Sequence, residues 1–418
     1  MDYVQAAAAA APNSNFLFCF VSSAMGQQFI QKFACLLLIA AAFVFASSDA
    51  VMAQKRAPFK TQAEYAILLD ADTNSVLFEK NADELMHPAS MSKLMTLELV
   101  FKAMKEDRLS LDDEFTASEF AWRNGGAPSG TSAMFVPLNE TTTLHELLQG
   151  ITVQSGNDAC IILAEGISGD EVTFAEAMTE RARELGMRNS SFANSTGLPH
   201  PDHMMTARDL AKLARHIIAE YPDYYPYFAQ KEFKYRKHNF INRNPLIETY
   251  IGADGLKTGY IKASGYGIVA SARQRDQRLI AVLNGLKSKR ERTREARKLL
   301  DWGFRSFKQY TLFDDGETVG EAIVYGGSQF QLPLVGDGGV RILLPRAANR
   351  KKIKASIIYD GPLKAPIAKG DEVAKLRVTT DNNAITEVPL YASQDVEQAG
   401  VMSRGFDSLL HLAFGWIL

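Results

Sequence analysis

Apolar positions change their period several times along the chain, and each change marks a different element. In EYAILLDADTNSVLFEKN (64–81), Ile67-Leu68-Leu69 and Val76-Leu77-Phe78 flank a turn of Asp, Thr, Asn and Ser, which predicts two short strands. In PASMSKLMTLELVFKAMKE (88–106), Met91, Leu94, Met95, Leu99 and Met104 recur at helical spacing behind Pro88, which predicts a helix. The same period predicts helices over 144–165, 173–186, 207–220 and 291–307, while GYGIVASARQRDQRLIAVLNG (265–285) returns to strand, turn, strand. Strands at both ends with helices between them predict an α/β (α+β) domain whose single sheet is assembled from distant segments.

After Tyr310 the pattern shortens. EAIVYGG, QFQLPLV, VRILLP, KASIIYD and KLRVTT, broken by Gly, Pro, Asp and Asn, predict a small all-β domain. The last segment, 396–418, carries Val401, Met402, Phe406, Leu409, Leu410, Phe414, Trp416 and Leu418, with Arg404, Asp407, Ser408 and His411 toward one side. That is an amphipathic helix suited to lying in a membrane interface; the competing reading is a helix docked on the β domain. Near the other end, Lys32 precedes fourteen apolar residues, Phe33 to Ala46, and small residues follow up to Ala53. A span needs about 20 apolar residues, so this reads as a secretory signal cleaved after Ala53, with Met25 as an alternative start. The expected layout is a signal over 1–53, an α/β domain over 54–308, a β-rich domain over 309–395 and an anchoring helix over 396–418.

The chain has 418 residues, 46% of them hydrophobic and 22% charged, enough for two or three domains with cores of their own. Disorder, collagen-like sequence and a polytopic membrane protein are excluded. With 46 Lys+Arg against 48 Asp+Glu the net charge is -2, without the basic excess of a nucleic-acid binder. Cys19 and Cys35 fall in the expected signal, leaving Cys160 as a lone, buried, small apolar residue with no adjacent His to make it a nucleophile.

Three short segments carry candidate chemistry. Ser90-Met91-Ser92-Lys93 places a hydroxyl and an amine three apart on one helix face, at the end where the macrodipole favours an alkoxide. For Lys93 to serve as base it must be neutral, so its pKa must be lowered by burial or neighbouring positive charge. Ser155-Gly156-Asn157 offers a hydroxyl and a carboxamide at a glycine-loosened helix start, suited to relaying a proton and orienting an amide; alone it would read as an N-cap. Lys257-Thr258-Gly259 puts a cation, a hydroxyl and a residue without a side chain on a strand edge, where a peptide can lie alongside and pair. His200 and His203, in PHPDH, lack a convincing third metal ligand and read as a polar loop.

In this order, 65 and then 102 residues apart, the three segments resemble the penicillin-recognising serine enzymes, with Ser-Gly-Asn where the class A enzymes have Ser-Asp-Asn. The flanks HPASMSKLMT, SGTSAMFV, LLQGITVQSGNDACIILAE, STGLPHPDHMMTARDLA and GADGLKTGYIKASGYGIVASA resemble the low-molecular-mass D-alanyl-D-alanine carboxypeptidases of the penicillin-binding protein 5 type. The resemblance covers about 60 to 308 strongly and the β-rich segment and terminal helix by layout. It implies a penicillin-recognising transpeptidase/β-lactamase-like fold, with Ser90 as nucleophile, Lys93 taking its proton and Ser155 passing a proton to the leaving D-alanine. It further implies that Asn157 holds the acyl side chain, that Lys257, Thr258 and Gly259 line the substrate strand, and that Arg208 lies near the terminal carboxylate. The oxyanion hole would be the backbone N–H groups of Ser90 and Tyr260. The implied partners are a peptidoglycan pentapeptide ending in D-Ala-D-Ala, β-lactams as covalent inhibitors, and the periplasmic face of the cytoplasmic membrane, with no metal, cofactor or nucleic acid. A D,D-endopeptidase and a non-catalytic penicillin-binding sensor remain as alternatives. A β-lactamase is disfavoured, because no Glu stands in a convincing deacylation position.

Overall fold

The computed structural model describes residues 59–346, 354–379 and 385–400. The expected signal and residues 401–418 of the expected anchoring helix lie outside the described residues. The α/β domain is framed by five strands: β1 (Tyr65–Asp70), β2 (Val76–Lys80), β3 (Ala253–Ile261), β4 (Gly265–Gln274) and β5 (Gln277–Leu286). They form one antiparallel sheet in the order β2-β1-β5-β4-β3, which joins the two ends of the domain and leaves β3 on an edge.

Period-two alternation splits the strand side chains between two cores. Ile67, Leu69, Val269, Ile280 and Val282 face the helical bulk, where they join Leu94 and Met95 of α1 (Lys93–Lys105) and Leu210 and Leu213. Their neighbours Ala66, Leu68, Ala270, Ala281 and Leu283 face the opposite side and pack on Ala296, Leu299 and Leu300.

The expected single helix over 144–165 is three pieces: α2 (Leu144–Gln149), one π-helical turn (Gly150–Gln154) and α3 (Asn157–Ser168). Ser155, between the last two, is left-handed at φ 65°, and this kink is what periodicity could not show. α4 (Glu171–Glu184) and α5 (Ala207–Glu220) lie where the spacing puts them. α6 (Lys289–Ser306) covers the second sheet face. A Cβ on Gly303 would stand 2.6 Å from a Leu279 methyl and 2.7 Å from a Leu68 methyl, so α6 rests close against the sheet at a point where a side chain must displace those methyls.

The all-β region starts directly after α6, with β6 (Phe307–Phe313). Its core gathers Ala322, Val324, Leu332, Leu334, Ile342, Leu376, Val378 and Leu390 from a two-stranded and a six-stranded sheet. The region also runs past the expected boundary at 395. Val396 bridges Ile367, Gln398 bridges Gly327, and Ala399 N donates to Gly326 O, so residues 396–399 are extended and paired, not helical. The expected helix over 396–418 therefore does not start at 396, because that segment's backbone groups and the buried Val396 side chain are committed to the β domain. Among the described residues no helix is long and apolar enough to cross a membrane.

Replacing Gly303 with valine forces α6 away from the sheet; overpacking of this kind costs about 1–3 kcal/mol. A fall of several degrees in the thermal midpoint is expected by calorimetry, and an unchanged midpoint would show that the α6 contact is not tight.

Candidate active site

Pro88 precedes a single 3-10 turn, Ala89–Ser92, and α1 follows at once. The turn's first hydrogen bond runs from Met91 N to Pro88 O, so the N–H groups of Ala89 and Ser90 lie ahead of it without a partner in the turn. Ala89 is held at φ 50°, a conformation that costs a non-glycine residue energy.

Lys93, one turn on, is completely buried. Its Nζ lies 3.1 Å from Ser90 Oγ, 2.6 Å from Asn157 Oδ1 and 2.5 Å from the carbonyl oxygen of Thr196. Burial lowers its pKa to about 8, and the charge of Arg243 pushes in the same direction. The amine therefore sits within hydrogen-bond reach of the candidate nucleophile, and its pKa is low enough to yield a neutral base near neutral pH.

Asn157 is engaged at both ends: Oδ1 accepts from Lys93, and Nδ2 donates to Thr131 Oγ1 at 2.8 Å. Its neighbour Asp158 turns inward, where the carboxylate accepts from Met134 N at 2.9 Å, Phe135 N at 2.8 Å and Val136 N at 3.2 Å. This ties the SGTSAMFV loop to the start of α3. Ser155, on the left-handed kink, is 2% exposed, and its Oγ has no hydrogen-bond partner. An unpaired buried hydroxyl costs free energy that a bound ligand can recover.

Lys257, Thr258 and Gly259 lie on edge strand β3, paired to Val269, Ile268 and Gly267 of β4. Lys257 is 2% exposed, and its pKa is held well below the usual lysine range by burial, with the charges of Lys93 and Arg243 adding to it. Two amines within electrostatic range share the cost of charge. The two carbonyl oxygens around Lys93 hold its amine in place beside Ser90. Gly259 has a steric role as well, because its Cβ would stand 2.9 Å from Pro88 O and 3.2 Å from Ala89 Cβ. The strand thus passes directly against the Ser90 turn. Tyr260 follows, half exposed and stacked on Tyr266 at a centroid distance of 4.2 Å, so the two expected oxyanion donors belong to elements in contact.

Arg208 is not part of this cluster. Its Nε bonds Asp83 Oδ1 at 2.7 Å and its Nη2 bonds Glu79 Oε2 at 2.5 Å, so two acids already neutralise it. The contacts of Arg208 thus lie with these acids and not with Lys93 or Lys257; the arginine whose charge lowers the pKa of both buried lysines is Arg243, in FINRNPLIE. Nothing in its short neighbourhood marked it. Thr196 was also missed as a contributor, since it acts through its carbonyl oxygen. Asn194 Oδ1 accepts from Thr196 N and Gly197 N, and Glu171 Oε1 accepts from Ser195 N, which folds that loop on itself and ties it to the start of α4. Gly197 was the available sign; at φ 76°, its Cβ would meet Ala89 O at 2.1 Å. Cys160 is buried in α3, its thiol pushed up to about 12 mainly by burial, which leaves it inert. His203 is buried and neutral, its pKa lowered to about 3, and no group of three metal-binding side chains stands among the described residues.

A serine–lysine pair at the junction of a helical region and the edge strand of an antiparallel sheet, with a second lysine on that edge, defines the penicillin-recognising class. The chain belongs to the D-alanyl-D-alanine carboxypeptidase family, whose model matches residues 50–288, while 307–398 match the C-terminal domain of penicillin-binding protein 5. It is 35% identical to the D-alanyl-D-alanine carboxypeptidase DacC of Escherichia coli (strain K12), over 90% of this chain and 94% of that one. Among solved structures, penicillin binding protein 5 from Haemophilus influenzae is 34% identical, with a TM-score of 0.74 over 82% of this chain and 99% of that one. Penicillin-Binding Protein D2 from Listeria monocytogenes, solved in its ampicillin-bound form, is 25% identical, with a TM-score of 0.52 over 60% of this chain and all of that one.

Asp158→Ala removes the acceptor for three backbone N–H groups of that loop and for Ala159 N. Each buried donor left unpaired costs about 1–3 kcal/mol, so a loss of roughly 3 kcal/mol or more is expected in urea unfolding. A loss below about 1 kcal/mol would mean that the loop is held by other contacts.

Proposed function

We propose that the protein is a serine-type D-alanyl-D-alanine carboxypeptidase that removes the terminal D-alanine from peptidoglycan stem peptides. The observation that carries the reading is the 3.1 Å contact between Ser90 Oγ and a fully buried Lys93 amine whose pKa has fallen to about 8. Family membership and the edge position of β3 support it.

In this mechanism the substrate lies along β3 as an added strand. Ser90 Oγ attacks the carbonyl carbon between the two D-alanines while its proton passes to neutral Lys93 Nζ. The carbonyl oxygen takes the negative charge, stabilised by the N–H groups of Ser90 and Tyr260; one such donor is worth about 10²–10³ in rate. The C–N bond then breaks, and the leaving amine gains a proton through Ser155, whose unpaired hydroxyl supports that role. Water cleaves the ester on Ser90 and regenerates the hydroxyl. Asn157 positions Lys93 and the acyl amide. Lys257, Thr258 and Arg243 receive the terminal carboxylate, and Lys257 takes a proton more readily once that anion is beside it. A β-lactam offers the same serine an amide that stays tethered after acylation, so it acts as a covalent inhibitor. Export by the N-terminal segment and peripheral attachment through 401–418 would place this chemistry on the periplasmic face of the cytoplasmic membrane.

The deciding assay incubates the full chain, and a chain ending at residue 400, with a pentapeptide ending in D-Ala-D-Ala, a cross-linked stem peptide and labelled penicillin. Free D-alanine from the pentapeptide is expected, reduced on the order of 10⁴-fold or more in Ser90→Ala. Penicillin labelling without D-alanine would indicate a sensor, and preferential cutting of the cross-link an endopeptidase. Equal turnover by the shorter chain, now absent from the membrane fraction, supports the anchor; persistence on the membrane refutes it. The acylation rate should also depend on pH. Lys93 is a base only when neutral and its neutral fraction grows with pH, so labelling by penicillin should rise through a midpoint near about 8. A profile flat between pH 6.5 and 9.5, an interval of roughly 1.5 units on either side of that value, would remove Lys93 as the base.

A further inference from the structure

Of the three acceptors around Lys93 Nζ, Thr196 O is the one that comes from a loop and is not held by a helix or a strand. Its position is fixed one residue earlier, at Ser195, which is completely buried and bonded on every polar group. Ser195 N donates to Glu171 Oε1 at 3.0 Å and Ser195 Oγ to the same oxygen at 2.6 Å, while Ser195 O accepts from Thr96 Oγ1 of α1 at 2.7 Å. Glu171 is the first residue of α4, behind the Asp170 N-cap, where the positive end of the macrodipole favours a charged carboxylate. That charge also acts on the base. Burial and Arg243 lower the pKa of Lys93, and Glu171 and Asp158 oppose them. The other titratable groups that interact with the amine are Lys257 on β3, Cys160 on α3 and His203. The Cys160 thiol, pushed up to about 12, and the His203 ring, lowered to about 3, are both neutral near neutral pH. Asp158 is committed to four backbone N–H groups, so it cannot be neutralised without releasing its loop. Glu171 differs, because both of its bonds run to one oxygen and a neutral carboxamide there can accept them equally.

We propose that Glu171 is a positioning residue for the reaction: through Ser195 it holds the Thr196 carbonyl oxygen against Lys93 Nζ, and its negative charge stabilises the ammonium that forms when Lys93 takes the Ser90 proton. This rests on the reading of Lys93 as the base. Glu171 touches neither substrate nor the reacting atoms, and its two contributions, a hydrogen-bond acceptor and a charge, are separable by substitution.

The test measures the rate of acylation by labelled penicillin against pH for the full chain and for Glu171→Gln and Glu171→Ala. Glutamine keeps the acceptor and removes the charge, so Lys93 loses its proton more readily and the midpoint of the profile moves to lower pH. A shift of about 0.3 unit or more is expected, equivalent to a twofold change in the ratio of neutral to charged amine. Alanine removes the acceptor as well. Its midpoint moves the same way, and its rate on the high-pH plateau should lie about tenfold or more below that of the glutamine variant, since a misplacement of about 1 Å can cost about 10²-fold. Should the alanine variant fail to fold, Ser195→Ala takes its place: it deletes one of the two bonds to Glu171 and keeps the charge, so the plateau should fall with the midpoint unmoved. A residue with a structural role alone would lower the thermal midpoint of the protein and leave the pH midpoint where it was. A glutamine profile that stays in place or moves to higher pH overturns the role of the charge, and equal plateaus for glutamine and alanine overturn the role of the acceptor. A profile already flat in the unmodified enzyme overturns the reading of Lys93 as base and this proposal with it, whereas a rising profile that Glu171→Gln leaves unchanged overturns the proposal alone.

Discussion

The site depends on placing one amine, Lys93 Nζ, out of water. A buried ammonium is costly unless its protons are bonded, and the protein meets that cost with acceptors from three separate parts of the chain: Ser90 Oγ, Asn157 Oδ1 and Thr196 O. Each acceptor has its own support. Asn157 begins α3 and is backed by Asp158, Thr196 sits in a loop clamped by Asn194 and Glu171, and Ser90 rides on a strained turn whose first residue, Ala89, has positive φ. The same burial that makes the amine expensive lowers its pKa, so the structural cost and the basicity needed for catalysis have one origin.

That arrangement works only if backbone segments approach closely, which explains two glycines. Gly259 lets edge strand β3 run against Pro88 and Ala89, and Gly197 lets its loop meet the Ala89 carbonyl. Because β3 is the far edge of the sheet that β1 joins through β5, the position of the serine turn relative to the substrate edge is set by pairings more than 200 residues apart in the chain. Rigid strands and a flat-packed α6 hold this geometry better than loops would.

Much of the fold was legible where one face is buried and the other wet. α5 over 207–220 and the hairpin formed by β4 and β5 fall where the period put them, because nothing local competes with the pattern. Legibility failed where a local departure carries function or where pairing overrides composition. The helix over 144–165 breaks at a π turn and at left-handed Ser155, and residues 396–399 pair with segments of the β domain although their composition runs into an amphipathic stretch.

By itself the sequence determined the reactive groups and their order: a serine and lysine three apart, a serine and asparagine two apart, and Lys-Thr-Gly on a strand. Those follow from covalent spacing, which local geometry preserves. Only the tertiary structure decided which arginine is already held by acids and which one's charge reaches the buried lysines, and that a carbonyl oxygen from Thr196 completes the shell of Lys93. Arg208 and Arg243 are equally plausible as letters. One is neutralised by Asp83 and Glu79, and the other acts on two buried amines, because charge acts through space and packing sets the distances.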